Sequence, residues 1–323
     1  MICIKSLSSE PAFNLATEEY LLRQTDYDAC VLYINSPSII VGKHQNAIAE
    51  VNLNFANEHN IPVFRRISGG GTVYHDTGNL NFCFILNGKA GELVDFKKYT
   101  SPIVNYLKTV GITAGYEGSN NLTINGLKIS GNAEHVYKNR VLHHGTLLFN
   151  SNLETLQTSL RPKAINYTDK TIKSKPWPVT NILDHLNSKM SINQFRDQLF
   201  DYLISQLKYT AYNLSNIEIE AIKNISKQRY STWEWNYGYT PHYEFTKEII
   251  LNNSVLNIQI TVKKGIITHV NADGSDFPIT FLSFLNTKLI GTRHFPMDIA
   301  QSMSPLKKYL SMEEITHFIA QLF

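Results

Sequence analysis

The sequence predicts an α+β protein with a large domain over residues 1–244 and a small α+β domain over 245–323. Three observations carry this. Strand-like alternations such as residues 79–86 are interleaved with helical periodicities such as 96–110. An aromatic segment, Trp233-Glu234-Trp235-Asn236-Tyr237-Gly238-Tyr239-Thr240-Pro241, reads as a boundary. Beyond it the pattern changes to paired alternating runs followed by helices. No internal repeat or low-complexity segment is visible.

Composition narrows the class. A chain of 323 residues, 43% apolar and 18% charged, describes a soluble globular protein with ample core. The net charge of +3 comes without a Lys/Arg stripe, so the chain is not read as binding nucleic acid. No apolar run approaches membrane-spanning length. Cys3, Cys30 and Cys83 are far apart and odd in number, which excludes a disulfide framework or zinc knuckle and fits a reducing cytoplasm. The N-terminus is strand-like and predicts no secretory signal.

In chain order, Ser9-Glu10-Pro11 predicts a capped amphipathic helix presenting Phe13, Ala16 and Tyr20. Two apolar strands, residues 30–34 and 38–42, are split by a turn at Pro37. A short helix over 53–59 ends before Pro62. The most informative stretch follows: Arg65-Arg66-Ile67-Ser68-Gly69-Gly70-Gly71-Thr72-Val73-Tyr74-His75-Asp76-Thr77-Gly78-Asn79. Consecutive glycines allow positive φ and close backbone approach, and their N–H groups can form an anion-binding concavity. This is not a Walker loop, because its Gly-Lys-Ser/Thr end is missing and a strand follows where a P-loop needs a helix.

Residues 79–86 then alternate as a strand with one apolar face, which makes Cys83 a buried small hydrophobe rather than a nucleophile. Phe96, Tyr99, Ile103 and Leu107 predict a helix closed by Gly111. Asn125-Gly126 predicts a type I′ hairpin. Pairing outward from it sets Thr123 opposite Lys128 and Asn121 opposite Ser130, gathering Lys128, Asn121 and Ser130 on one polar face beside Gly131. That makes Lys128 a candidate for holding a carboxyl or phosphate oxygen. A hairpin at Lys138-Asn139 leads into His143-His144-Gly145-Thr146, where the two histidines face opposite ways and cannot share a metal. A long Lys/Pro-rich connection spans about 160–180. The last helix opens with a Ser311–Glu314 capping box and buries Ile315, Phe318, Ile319 and Leu322.

With these motifs in order, the chain resembles the lipoate–protein ligase family. The resemblance is carried by Arg65-Arg66-x-Ser68-Gly69-Gly70-Gly71, His75-Asp76-x-Gly78-Asn79, Lys128-Ile129-Ser130-Gly131-x-Ala133, His143 to Leu148, Val179-Thr180-Asn181, the Trp233 segment, and the helix with Asn14-Leu15-Ala16 and Glu18. It covers most of the chain. It implies a mixed-sheet fold similar to biotin ligases and class II aminoacyl-tRNA synthetases, with a C-terminal accessory domain. It further implies two half-reactions: lipoate and MgATP give lipoyl-AMP and pyrophosphate, and a carrier lysine then attacks the mixed anhydride.

The resemblance assigns Lys128 as the catalytic cation and Arg66 as its partner. It puts Ser68, Gly69, Gly70, Gly71, Thr72, His75 and Asn79 around the lipoyl-adenylate from one side. Asn121, Ser130, Gly131, Ala133, His144 and Thr146 surround it from the other. Lys173, Lys175, Val179 and Thr180 form the nucleotide loop. The implied cofactors are ATP and Mg²⁺, with Asn121 as the metal-side residue. The implied partners are lipoyl carrier domains of 2-oxoacid dehydrogenase E2 subunits and the glycine cleavage H protein. A cytoplasmic monomer is expected.

Two departures fall on the ATP side. Family members usually have Gly-Arg-Asn-Asp where this chain has Gly118-Ser119-Asn120-Asn121, and Asn121 cannot neutralise Mg²⁺. The nucleotide loop usually carries two arginines, whereas this one reads Lys173-Ser174-Lys175-Pro176-Trp177-Pro178. They keep open a transferase of the same fold that moves a lipoyl or octanoyl group without making the adenylate. A non-catalytic module binding carrier domains is the third reading, against which the retained Lys128–Arg66 pair argues.

Overall fold

The computed structural model describes residues 1–88, 94–118, 120–160, 166–251, 253–308 and 310–323. The strands are β1 (Ile2–Lys5), β2 (Ala29–Ile34), β3 (Ser38–Val41), β4 (Val63–Arg65), β5 (Val73–His75), β6 (Asn79–Asn87), β7 (Gly115–Glu117), β8 (Asn121–Ile124), β9 (Leu127–Tyr137), β10 (Arg140–Leu148), β11 (Tyr167–Asp169), β12 (Thr210–Ala211), β13 (Tyr243–Leu251), β14 (Ser254–Lys263) and β15 (Ile266–Asp273). The helices are α1 (Pro11–Gln24), α2 (Ala47–Glu50), α3 (Leu53–Glu58), α4 (Phe96–Thr109), α5 (Leu153–Ser159), α6 (Ile192–Gln206), α7 (Asn216–Ile225), α8 (Ile279–Lys288), α9 (Pro296–Met303) and α10 (Met312–Gln321).

Two compact units result. One comprises Met1–Lys43, Ile61–Thr158 and Ser174–Thr232; the other comprises His44–Asn60, Ser159–Lys173 and Trp233–Phe323. The second unit thus begins its C-terminal portion at Trp233, within the aromatic boundary segment, and also takes up two earlier segments. One of them contributes β11, which pairs antiparallel with β13 from Tyr167 opposite Phe245 to Asp169 opposite Tyr243. That pairing links residues far apart in sequence, which no local boundary signal reports.

The first unit holds a mixed sheet in the order β12-β1-β2-β6-β10-β9-β8-β7 and a smaller sheet in the order β4-β3-β5. β1 pairs parallel with β12 and β2, and the remaining ladders of the large sheet are antiparallel. Its core gathers Leu32, Phe82, Phe84, Tyr106, Leu122, Ile129, Phe149, Phe195 and Leu199. Cys3, Cys30 and Cys83 are free and buried. Burial, and the nearby Glu18 carboxylate, push the Cys83 thiol well above its ordinary range, so it is inert.

The first helix departs from expectation. Pro11 opens α1, but Glu10 makes no side-chain cap, and ten of its fourteen residues are buried, Glu18 and Glu19 among them. It is a helix covered on most sides, not an amphipathic one. Its C-terminal carbonyls are closed from a distance: the buried Arg140 guanidinium donates to the carbonyls of Leu21, Leu22, Thr25 and Tyr27.

The Asn125-Gly126 turn has both residues at positive φ, as type I′ requires, and sets Ile124 opposite Leu127 and Thr123 opposite Lys128. A β-bulge then shifts the register, so Leu122 faces Ser130 and Asn121 faces Gly131. The expected opposition of Asn121 and Ser130 is therefore corrected. Ile129 is the extra residue, and burying it together with Leu122 in the core is what the bulge permits. In the second unit, β13, β14 and β15 form an antiparallel sheet with β11. The Ser311–Glu314 capping box opens α10, which buries Ile315 and Phe318 and leaves Ile319 half-buried.

Candidate active site

The glycine stretch leaves β4 and enters β5, with β3 lying between those two strands. Arg65 is fully buried and donates to the carbonyls of Gly42 and Lys43, so it braces the sheet. Arg66 organises the loop. Its guanidinium donates to Ile40 O (3.1 Å), Gly69 O (2.6 Å), Gly71 O (2.7 Å) and Ser68 Oγ (2.9 Å). The loop thus turns two carbonyls onto the arginine. Of the three glycines only Gly70 has positive φ (87°), and a Cβ there would sit 3.0 Å from Arg66 Nη2. The Thr72 N–H is committed to Ser174 Oγ at 2.9 Å, which takes one donor from the expected anion concavity.

Two cations, Arg66 and Lys128, stand at the candidate site. Burial lowers the Arg66 pKa to about 10, against the opposing pull of Glu18 and Tyr33, so it stays protonated at neutral pH. Burial and the Arg66 charge both push the Lys128 ammonium down from its ordinary value. Lys128 folds back over Gly131: a Cβ at that glycine would lie 3.1 Å from both Lys128 Cε and Nζ. Among the described residues no carboxylate lies within ion-pair distance of Lys128 Nζ.

Glycine loop and strands meet at several points. A Cβ on Gly70 would sit 3.6 Å from the Ala133 Cβ, and Gly131 N–H donates to Thr146 Oγ1 at 3.2 Å. Ser68 Oγ lies 2.7 Å from His144 Nε2, and His144 Nδ1 lies 2.8 Å from Glu18 Oε2. Ser68 accepts from Arg66, and its other acceptor, Gly69 O, stands at the 3.5 Å limit. His144 Nδ1–H donates to the Glu18 carboxylate, and Nε2 faces the Ser68 hydroxyl. Tyr33 OH donates to the other Glu18 oxygen at 2.9 Å. This buried relay connects Arg66 to the Glu18 carboxylate through Ser68 and His144.

His75 is neutral. Burial, then the charges of Arg66 and His144, lower its pKa to about 3. Its tautomer follows from the network. Asn14 Nδ2 donates to Ser8 O and Asn35 Oδ1, so Asn35 Nδ2 must donate to His75 Nδ1 at 3.0 Å. The proton sits on Nε2, which is buried and has no partner among the described residues. Asn79 donates to Asn81 Oδ1 and leaves its own Oδ1 buried without a partner there. An orphaned donor and an orphaned acceptor on adjoining segments suit a polar ligand.

Other sequence-predicted residues are distributed unevenly. Ser130 is fully buried opposite Leu122 and accepts from Asn132 Nδ2, so it is a strut of the bulge rather than a neighbour on the Lys128 face. His143 faces away from His144, toward Glu134, Phe96 and Tyr99. Val179 lies beside Lys128 and Thr180 N–H donates to Lys128 O. Lys175 is exposed. Lys173 belongs to the second unit, where it is paired with the buried Asp169 at 2.7 Å. Ser119 lies outside the described residues. Asn121 is half-buried at the start of β8, and no group of three His, Cys, Asp or Glu suited to a metal occurs among the described residues. Glu18, Tyr33 and Asn35 were not among the predicted site residues, although Glu18 belongs to the helix that helps carry the family resemblance.

Known structures identify the fold as that of the lipoate ligases. P. falciparum LipL1, solved in complex with lipoate, is 25% identical with a TM-score of 0.63, and the alignment covers 99% of each chain. The bipartite lipoate protein ligase of Thermoplasma acidophilum matches 74% of this chain and 96% of its own with a TM-score of 0.63 at 24% identity. In sequence, the family model of the lipoyl protein ligase A/B catalytic domain matches residues 10–204. Lipoate–protein ligase 1 of Staphylococcus aureus is 39% identical over 93% of this chain and 92% of its own. Lipoate-protein ligase LplJ of Bacillus subtilis is 37% identical over 88% of each. The protein belongs to the lipoyl protein ligase A/B family and is an enzyme of the ligase class.

Proposed function

We propose that this protein joins lipoate to carrier proteins in two steps. The lipoate carboxylate attacks the α-phosphorus of ATP, forming the C–O–P link of lipoyl-AMP as pyrophosphate leaves. A lysine amine of a lipoyl carrier domain then attacks the acyl carbon, forming the amide as AMP departs. The observation that carries this reading is the buried Arg66 beside the half-buried Lys128, whose ammonium lies over Gly131 with no carboxylate pairing it among the described residues. Such a pair in a water-poor site stabilises charge that develops on carboxyl and phosphoryl oxygens.

Each residue has a part in that scheme. Lys128 donates to the oxygens at the reacting carboxyl–phosphate junction. Arg66 shapes the glycine loop and adds positive potential. Ser68, Gly69, Gly70, Gly71, Thr72, Gly131, Ala133, His144 and Thr146 line the acyl-adenylate. Neutral His75 and Asn79 offer a donor and an acceptor. Asn121 and the 174–180 segment lie on the nucleotide side. No residue here is placed as a general base, so positioning supplies much of the rate. The described residues offer no carboxylate set for Mg²⁺, which enters with the triphosphate of its substrate, and no step is routed through a protein-held metal.

In this reading residues 1–244 carry catalysis and 245–323 are accessory. The carriers are 2-oxoacid dehydrogenase E2 domains and the glycine cleavage H protein, and the enzyme works as a cytoplasmic monomer. Among the described residues no helix is long and apolar enough to cross a membrane. The test is lipoate-dependent exchange of labelled pyrophosphate into ATP, followed by a carrier mass shift. Lys128→Ala should abolish both. Near wild-type turnover in that variant would remove the assigned role, and carrier modification from lipoyl-AMP alone would limit the protein to transfer.

A further inference from the structure

Strand β9 changes neighbours along its length. Residues Asn132 to Tyr137 pair with β10, but the portion carrying Lys128 does not. There the vacated edge is taken by the connection after Ser174. Lys128 N–H donates to Pro178 O at 2.8 Å, and Thr180 N–H donates to Lys128 O at 3.0 Å, with Val179 beside Lys128 in parallel. Lys128 is thereby an interior position, paired with Thr123 on one side and with this segment on the other.

We propose that Trp177 is a positioning residue that, with Pro176 and Pro178, holds segment 174–180 as an edge strand beside Lys128 by contacts of the chain itself. The activity part of this inference rests on the ligase reading above. Pro176 and Pro178 fix their own φ, and Lys175 and Trp177, each preceding a proline, are confined to extended backbone. A segment so restricted loses little entropy on being docked. Its contacts are spread along its length. Ser174 Oγ accepts from Thr72 N–H on the glycine loop at 2.9 Å. The Trp177 indole N–H donates to Gly126 O at the hairpin tip at 3.3 Å. Thr180 Oγ1 lies 3.0 Å from His185 Nε2. Trp177 is 37% exposed, so its ring is no core anchor and its N–H is the link.

Hydrogen exchange tests this on the full-length protein without turnover, with amides of β6 as the control for an intact fold. In the wild type, the amides of Lys128 and Thr180 should be protected with no ligand added. In Trp177→Ala, and equally in Trp177→Phe, which keeps a ring but lacks the N–H, they should exchange roughly five- to tenfold faster, the factor expected from one lost hydrogen bond. A non-hydrolysable sulfamoyl analogue of lipoyl-adenylate should restore protection. KM for ATP should rise by a similar factor, with kcat at saturation within about twofold of wild type. Wild-type exchange at the open-chain rate without ligand, or a Trp177→Phe protein that exchanges as the wild type does, overturns the proposal. The predicted exchange pattern in a protein lacking pyrophosphate exchange would support the positioning role while removing the ligase reading.

Discussion

Replacing Gly131 by alanine separates the placement of the Lys128 ammonium from the stability of the fold. Gly131 does not have positive φ, so an L side chain is sterically allowed by the backbone. The added methyl would meet Lys128 Cε and Nζ at 3.1 Å and no other side chain or distant backbone within 4 Å. Ordinary carbon contacts lie at about 3.5–4.0 Å, so the lysine end must retreat by several tenths of an ångström. The lysine stem is flexible and can do so cheaply. Stability should therefore change little, or rise by about 0.4–1 kcal/mol from the stiffer unfolded chain. In the proposed reaction adenylation depends on where the ammonium stands, and a misplacement of about 1 Å costs roughly a hundredfold; the smaller shift here should lower kcat/KM by about ten- to hundredfold. Pyrophosphate exchange and a thermal melt measure the two quantities. Gly145→Ala is the contrasting control: its methyl would fall 2.3 Å from Asn132 Oδ1 and 2.5 Å from Phe82 Cζ, and that protein should be destabilised. Full activity in Gly131→Ala with an unchanged melt would refute the claim that Gly131 exists to seat Lys128.

Other expectations follow from the same geometry. Glu18→Gln leaves either Tyr33 or His144 facing a donor in place of an acceptor, so stability should fall by about 1–3 kcal/mol and KM for lipoate should rise. An unchanged melt and KM would show that the relay does not hold Arg66. Burial holds His75 neutral with a pKa of about 3, far below its unfolded value. Between roughly pH 6.5 and 3 the unfolded chain binds a proton that the folded one does not, so His75 contributes stability that is complete above about pH 6.5 and lost as pH falls, by about 1.4 kcal/mol per unit. His75→Gln should flatten that limb in acid denaturation, and an unaltered acid limb would contradict the assignment. Arg140→Met strips the donors from four carbonyls at the end of α1 and should cost about 2–4 kcal/mol by denaturant titration, with Arg140→Lys restoring only part.

Much of this molecule could be read before it was folded, because the relevant physics is local. Asn125-Gly126 specified a type I′ turn through the φ values those residues tolerate, and the turn set the first two cross-strand pairs. Gly111 closing α4 and Ser311 opening α10 are likewise decisions made within a few residues. The strand alternation through Cys83 announced a buried thiol. The family motifs imply one site for Arg66, Lys128 and the glycine loop; in the structure Ser68 meets His144 and Gly70 lies close to Ala133.

What lay beyond the sequence involves partners distant in the chain or competition for core space. Turn chemistry at residue 125 carries no information about whether Ile129 will be accommodated by a bulge, so the register past Lys128 was decided by packing. Lys173 resembles a nucleotide-loop cation in sequence, yet its contact is Asp169 in the second unit. Glu18 and His144 are 126 positions apart, and only the folded sheet brings α1 to β10 so that a carboxylate meets the histidine that holds Ser68 against Arg66. The amino-acid order determined which groups could do the chemistry, through residue identity and short-range geometry. Tertiary structure decided which of them are desolvated, neutral or charge-balanced, because those properties depend on what the rest of the chain excludes from water.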